Sequence, residues 1–286
     1  DVEEGKGGMG TIDEALSRRF DRKILVDLPN QADREALIRL LLGKNKTSQI
    51  SDEMILRLAA RSTGMSPANL TSVLELANRM AVKQNRPLDD GLLDEAYELT
   101  RFGAEKEWGR EYLERVARHE SGHAFLCYLG GHTPSYLTIV ARGGHGGYME
   151  HSSEDAGPLQ TKEELLNRIR TSLGGRAAEI AYYGEKDGIS TGASGDLESA
   201  TRIARAMLCS YGMDKDFGMA VLSPEEALKG PLAARISERV SEIIREEMEA
   251  TVKIIADNKP RLDRMVEALL LKNKLTREEM ETLLSQ

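Results

Sequence analysis

The chain has 286 residues, 40% of them hydrophobic and 30% charged, with a formal net charge of −8 at pH 7. That length suggests about two domains of a soluble, helix-rich protein, and no run of ~18–20 apolar residues suits a membrane span. An aromatic content of 5% and an acidic balance disfavour a nucleic-acid surface, which needs stacking platforms and a positive field.

The stretch "DVEEGKGGMG" at 1–10 is Gly-rich and is read as a linker or an artificial junction. Residues 11–29 predict a short helix, a strand from Lys23 to Asp27 and a stop at Pro29. A helix is expected over 30–44, capped by Asn30 or Asp33, with Leu37, Leu40 and Leu41 on one face and Gly43 at its end. Ser51 is the expected cap of a helix over 51–65, with Ile55, Leu58 and Ala59 at helical spacing. Ser66 caps the next, over 66–84, where Pro67 at the first position gives up an N–H that has no partner anyway. A fourth helix spans 88–102, and a boundary falls near Gly103–Gly109.

A long helix is expected over 110–130, closed by Gly130 and Gly131. Two short strands follow, 136–141 and 146–151, joined by a Gly/His loop. Three longer helices are predicted at 161–183, 196–211 and 231–257, and a last pair at about 258–272 and 276–285. Cys127 and Cys209 lack CxxC spacing, which points to a reducing compartment and to buried small hydrophobes.

The chemistry concentrates in "RHESGHAFLCYL" (118–129). On a helix, four residues put His119 and His123 about 40° apart around the axis and one turn along it. Both imidazoles can then reach one Zn²⁺ at about 2.0–2.1 Å. Glu120, beside the first ligand, can deprotonate a metal-bound water. Ser121 and Gly122 leave room for another element. A catalytic zinc takes three protein ligands. His132, His145 and His151 sit in loops or at strand ends, where surface roles are the rule. Cys127 is expected to point past the metal into the core. The acidic candidates are Glu179, Asp196 and Glu198, and spacing does not choose between them.

The blocks "ARHESGHAFLCYL", "TIVARG", "GGRAAEIAYYG", "ISTGASGDLESATRIARAM" and "YGMDKDFG", in this order, resemble the protease domain of the FtsH family of ATP-dependent AAA+ zinc metalloproteases. "LTREEMETLL" is similar to that family's closing helices. "IDEALSRRFDRKILVDLP" is similar to the segment carrying the arginine fingers, and "STGMSPANLTSVLELANRMA" to the helical lid of the AAA+ module. The resemblance implies a mainly α fold: an AAA+ C-terminal segment and lid over 11–105, then a zincin-like protease domain with a small β-sheet over 106–286. It implies His119, His123 and Asp196 as zinc ligands, Glu120 as general base and Glu179 as a carboxylate supporting a ligand imidazole. Gly146, Gly147, Tyr148 and Met149 would pair with an extended substrate, the glycines letting its backbone come close. Arg18 and Arg19 become candidate arginine fingers, although "SRRFDR" lacks the Pro-Gly the family usually carries between its arginines; Arg22 is read as a structural ion-pair residue.

No GxxxxGK[ST] phosphate loop or Walker B acidic pair occurs, so no nucleotide-binding residue is assigned and ATP with Mg²⁺ is expected only in a longer parent protein. The implied activity is processive endoproteolysis of unfolded or membrane-extracted proteins. The implied partners are those polypeptides and five further copies in a homo-hexamer, with no nucleic acid. The implied place is the cytoplasmic face of a membrane, reached through a segment outside this soluble stretch. The competing reading is a protease-inactive, metal-stabilised assembly or adaptor module of the same fold.

Overall fold

A computed structural model of the chain describes residues 27–43, 48–142, 146–150, 159–219, 221–223 and 230–285. The expected junction at 1–10, Arg18, Arg19, Arg22, His145 and His151 lie outside them, as does all but Asp27 of the first predicted strand.

Four helices come first. In α1 (Gln31–Leu42) the Asn30 side chain accepts from the Asp33 N–H and the Asp33 carboxylate accepts from the Asn30 N–H. That reciprocal pair satisfies two N–H groups that no helical carbonyl reaches. Ser51, Ser66 and Asp89 cap α2 (Asp52–Arg61), α3 (Pro67–Lys83) and α4 (Asp90–Phe102), each accepting from an N–H three residues on. Leu58, Leu70, Val73, Leu92, Ala96 and Tyr97 form the centre of their shared core. The expected face of α1 is rotated. Ile38 and Leu42 are buried, Leu37 and Leu41 only partly, and Leu40 is 62% exposed. The cause is Arg34, which occupies the core-facing stripe and is buried because its Nε and Nη1 donate to the Ala59 and Pro29 carbonyls.

The second half is built on α5 (Arg110–Leu129), β1 (Tyr136–Thr138), β2 (Tyr148–Glu150), α6 (Lys162–Gly188), a 3₁₀ turn (Thr191–Ala193), α7 (Ser194–Cys209), α8 (Gly230–Asp257), α9 (Lys259–Lys272), β3 (Lys274–Thr276) and α10 (Arg277–Leu284). One core joins α5, α6, α9, α10 and the sheet through Phe125, Leu137, Leu262, Leu269 and Met280. Another joins α6, α7 and α8 through Ile169, Leu173, Ala204, Met207 and Ile236. Gly184 takes φ +75° and breaks the regular helix of α6 after residue 183. The sheet has the order β2-β1-β3 and is antiparallel throughout, so β2 is an edge. β3 is an addition to the expected elements: three residues between two helices carry no periodicity to read. No helix among the described residues is long and apolar enough to cross a membrane.

Buried cations join the two halves, Arg61 foremost among the described residues. Arg61, at the end of α2, is 2% exposed. It pairs with Asp94 and Glu98 of α4 and, at 2.8 Å, with Glu150 of β2. Its guanidinium lies 3.5 Å from the centre of the Tyr136 ring on β1, and Lys274 of β3 reaches Asp94 at 2.7 Å. Burial pushes the Asp94 carboxyl up, but the Arg61 and Lys274 charges outweigh it and hold it below its ordinary value.

Removing the cation takes from three buried carboxylates the partner they share. Arg61→Leu is expected to cost about 3–5 kcal/mol in urea unfolding. A carboxyl depressed in the folded state stabilises above its unfolded pKa, about 3.9, and loses that contribution as the pH falls below it. The wild type should therefore lose stability below about pH 4, and the variant should lose less over the same range.

Candidate active site

The site starts from two helices in backbone contact. A β-carbon on Gly122 of α5 would lie 2.3 Å from the Gly174 carbonyl oxygen of α6, and one on Gly174 would lie 2.7 Å from the Gly122 carbonyl oxygen. A β-carbon on Gly175 would stand 2.3 Å from His119 Nε2. Only glycine at these three positions lets α6 lie against the face of α5 that carries the histidines.

That contact fixes both imidazoles. His123 Nδ1 is 2.7 Å from the Thr171 carbonyl oxygen of α6. A carbonyl can only accept, so Nδ1 carries a proton and Nε2 is the nitrogen left to face His119. His119 Nδ1 is 2.7 Å from Glu179 Oε1. Burial pushes the Glu179 carboxyl up, but hydrogen bonds from His119, Ser190 and Arg115 outweigh it and keep it below its usual range. It is therefore an ionised acceptor, and His119 also presents Nε2.

Asp196, in the first turn of α7, closes the group. Its Oδ2 is 3.3 Å from each Nε2, and the two Nε2 atoms are 3.1 Å apart. Three lone-pair donors thus form a triangle, repulsive unless a cation sits among them. Tetrahedral bonds of about 2.0–2.1 Å span donor–donor edges of about 3.3–3.4 Å, so the triangle fits one face of a zinc tetrahedron. A proton is the alternative cation. Burial lowers the His119 pKa, but hydrogen bonds to Asp196 and Glu179 and the nearby Glu120 charge outweigh it and raise the pKa to about 10. The same contacts pull Asp196 far below the carboxylate range against its burial.

The structure brings His119, His123, Asp196, Glu179 and Glu120 to one cleft of about 1180 Å³. Glu120 is 7% exposed and lines it. So do Gly146, Gly147, Tyr148 and Met149, which puts the β2 edge at its rim. The two glycines are also crowded by the protein itself: a β-carbon on Gly147 would meet Thr138 O at 2.6 Å and Glu120 Cγ at 3.0 Å, and one on Gly146 the Tyr112 hydroxyl at 2.9 Å. They let the protein's own α5 lie against the strand. Cys127 is buried beside the cleft and Cys209 is buried elsewhere. Glu198 and His132 are exposed and belong to no donor group with the triangle. Sequence reasoning missed Arg115 and Ser190, which both bond Glu179. Arg115 had a signal, standing one turn before His119 on the same helix face.

Gly175→Ala is expected to displace the His119 ring and lower the bound metal per chain at least about tenfold, a ligand-support loss, with helix content by circular dichroism unchanged. Gly195→Ala, where a β-carbon meets nothing within 4 Å, should bind metal like the wild type.

Residues 109–283 match peptidase family M41. The chain is 37% identical to the ATP-dependent zinc metalloprotease FtsH of Mycoplasmoides gallisepticum, over 96% of this chain and 37% of that protein. It is 34% identical to the protein of the same name from Ureaplasma parvum, over 96% of this chain and 39% of that one. It is 36% identical to ATP-dependent zinc metalloprotease FtsH 2 of Sphaerobacter thermophilus, over 96% and 43% respectively. The chain thus spans about two fifths of the length of these curated relatives. The family match takes in more than half of the chain and every residue of the donor triangle, and on it the chain belongs to peptidase family M41.

Proposed function

We propose that this chain is the endopeptidase part of an FtsH-type zinc protease, with His119, His123 and Asp196 as the zinc ligands and Glu120 as the general base. The observation that carries the reading is the triangle of two Nε2 atoms and one carboxylate oxygen with edges of 3.1–3.3 Å. Two imidazoles and a carboxylate are a donor set of catalytic zinc sites. The names of the relatives, zinc metalloproteases, support the choice of metal.

When bound, zinc supplies Lewis acidity, lowering the pKa of a water and polarising the scissile carbonyl. The protein's own groups do the rest. Glu179 and the Thr171 carbonyl hold the two rings with Nε2 facing inward. Glu120, at the cleft wall beside Gly147, takes the proton of the attacking water and returns it to the leaving amine nitrogen. The β2 edge, paired on one side with β1, offers its other side to an extended peptide. Main-chain pairing of this kind is indifferent to side chains and suits unfolded substrates.

On the same reading, residues 11–105 are the end of an AAA+ module and its helical lid, and 106–286 the protease domain. The relatives are called ATP-dependent, and the chain spans two fifths of them. Nucleotide binding with Mg²⁺, assembly as a hexamer and any membrane anchoring then belong to the longer protein.

Glu120→Gln is expected to retain about one zinc per chain while hydrolysis of a denatured protein falls by about 10²–10⁴-fold. Asp196→Ala should lose most of its zinc. Metal content by atomic emission and cleavage by gel assay are the readouts. Undiminished cleavage by Glu120→Gln, or full zinc in Asp196→Ala, overturns the assignment.

A further inference from the structure

We propose that Arg115 is a positioning residue for the metal centre, holding the Glu179 carboxylate in the one orientation that presents His119 to the metal. The inference rests on the zinc reading above.

Glu179 is 2% exposed, and each of its carboxylate oxygens is committed. Oε1 lies 2.7 Å from His119 Nδ1 and accepts from Ser190 Oγ at 3.1 Å. Oε2 accepts from Arg115 Nη1 at 2.8 Å. The second arm of the same guanidinium, Nη2, donates to the Asp187 carbonyl oxygen at 2.8 Å. Asp187 is within reach because Gly184, at φ +75°, turns the chain back towards α5. The turn is tight: a β-carbon on Gly188 would lie 2.7 Å from the Glu179 carbonyl oxygen. One planar cation therefore ties the returning segment to the buried carboxylate, a two-point grip that a point charge cannot reproduce.

The physical role follows from burial. A carboxylate taken out of water needs cations and donors in place of its lost hydration. Without Arg115, Oε2 has lost its partner, and the carboxylate can rotate. Rotation weakens the hydrogen bond that sets the direction of the His119 ring. Losing such outer contacts typically lowers metal affinity by about 10–100-fold.

The test is the zinc dissociation constant, by chelator competition, for the wild type, Arg115→Gln, Glu179→Gln and the double variant, with the cobalt absorption spectrum as a report on ligand geometry. Arg115→Gln should weaken zinc by about 10–100-fold and alter the cobalt bands. If it acts through Glu179, the double variant should be no weaker than Glu179→Gln alone. Arg118→Gln is the control: Arg118 bonds the Tyr183 hydroxyl from the same helix and should leave the constant unchanged. Additive losses, or an Arg115→Gln constant within twofold of the wild type, overturn the proposal. Should Arg115→Gln fail to fold, Arg115→Lys is read instead: severalfold weakening is expected, and an unchanged constant overturns it. A wild type that binds no zinc overturns the metal reading itself; one that binds zinc alongside an unaffected Arg115→Gln overturns this inference alone.

Discussion

The site depends on the contact of two helix backbones at Gly122 and Gly174. Side chains would hold α5 and α6 apart by a layer of packing, and neither the Thr171 carbonyl nor Glu179 would then meet an imidazole. With glycine on both sides, the main chain of α6 itself serves as a hydrogen-bonding surface for α5. The helix that bears the histidines and the helix that orients them therefore cannot be displaced separately. The α7 carboxylate needs only to arrive at the open side, and the 3₁₀ turn at Thr191–Ala193 delivers it.

Around that contact the charges are arranged in layers. Innermost are three lone-pair donors facing one another. Outside them are groups that bind the far nitrogens of the rings: an ionised carboxylate for His119 and a neutral carbonyl for His123. The two imidazoles thus lean on different kinds of acceptor although their residue type is the same. A cation, Arg115, stands beyond the carboxylate. Each layer offsets the desolvation cost of the one inside it, which is how so many titratable groups stay buried together.

Much of this was legible in the sequence, and the reasons differ from residue to residue. The caps at Ser51, Ser66 and Asp89 are local chemistry and were readable or nearly so. The pair His119 and His123 is readable because helix geometry alone fixes their relation. Asp196 is 73 positions beyond His123 in the chain, so its choice over Glu179 came from a resemblance and not from spacing. The core face of α1 was misread because a buried arginine looks polar until its carbonyl partners are known. β3 was invisible because three residues pair only once β1 is already in place. Gly146 and Gly147 stand out in the sequence as a place for close approach, but their contacts with β1 and α5 are long-range and carry no local signal.

The Arg61 cluster has a mechanical consequence. β2 is a rim of the cleft, and its last residue, Glu150, is bonded to a guanidinium that belongs to α2. Tyr97 of α4 lies 2.7 Å from the same carboxylate. Buried ion pairs are stiff, since stretching one in a medium of low polarity costs far more than at the surface. A tilt of the first four helices against α5 has nowhere to dissipate in this cluster. It must either rupture the pairs or drag the strand, so the rim of the cleft is geared to the helical module as well as to the helix α5 beneath it.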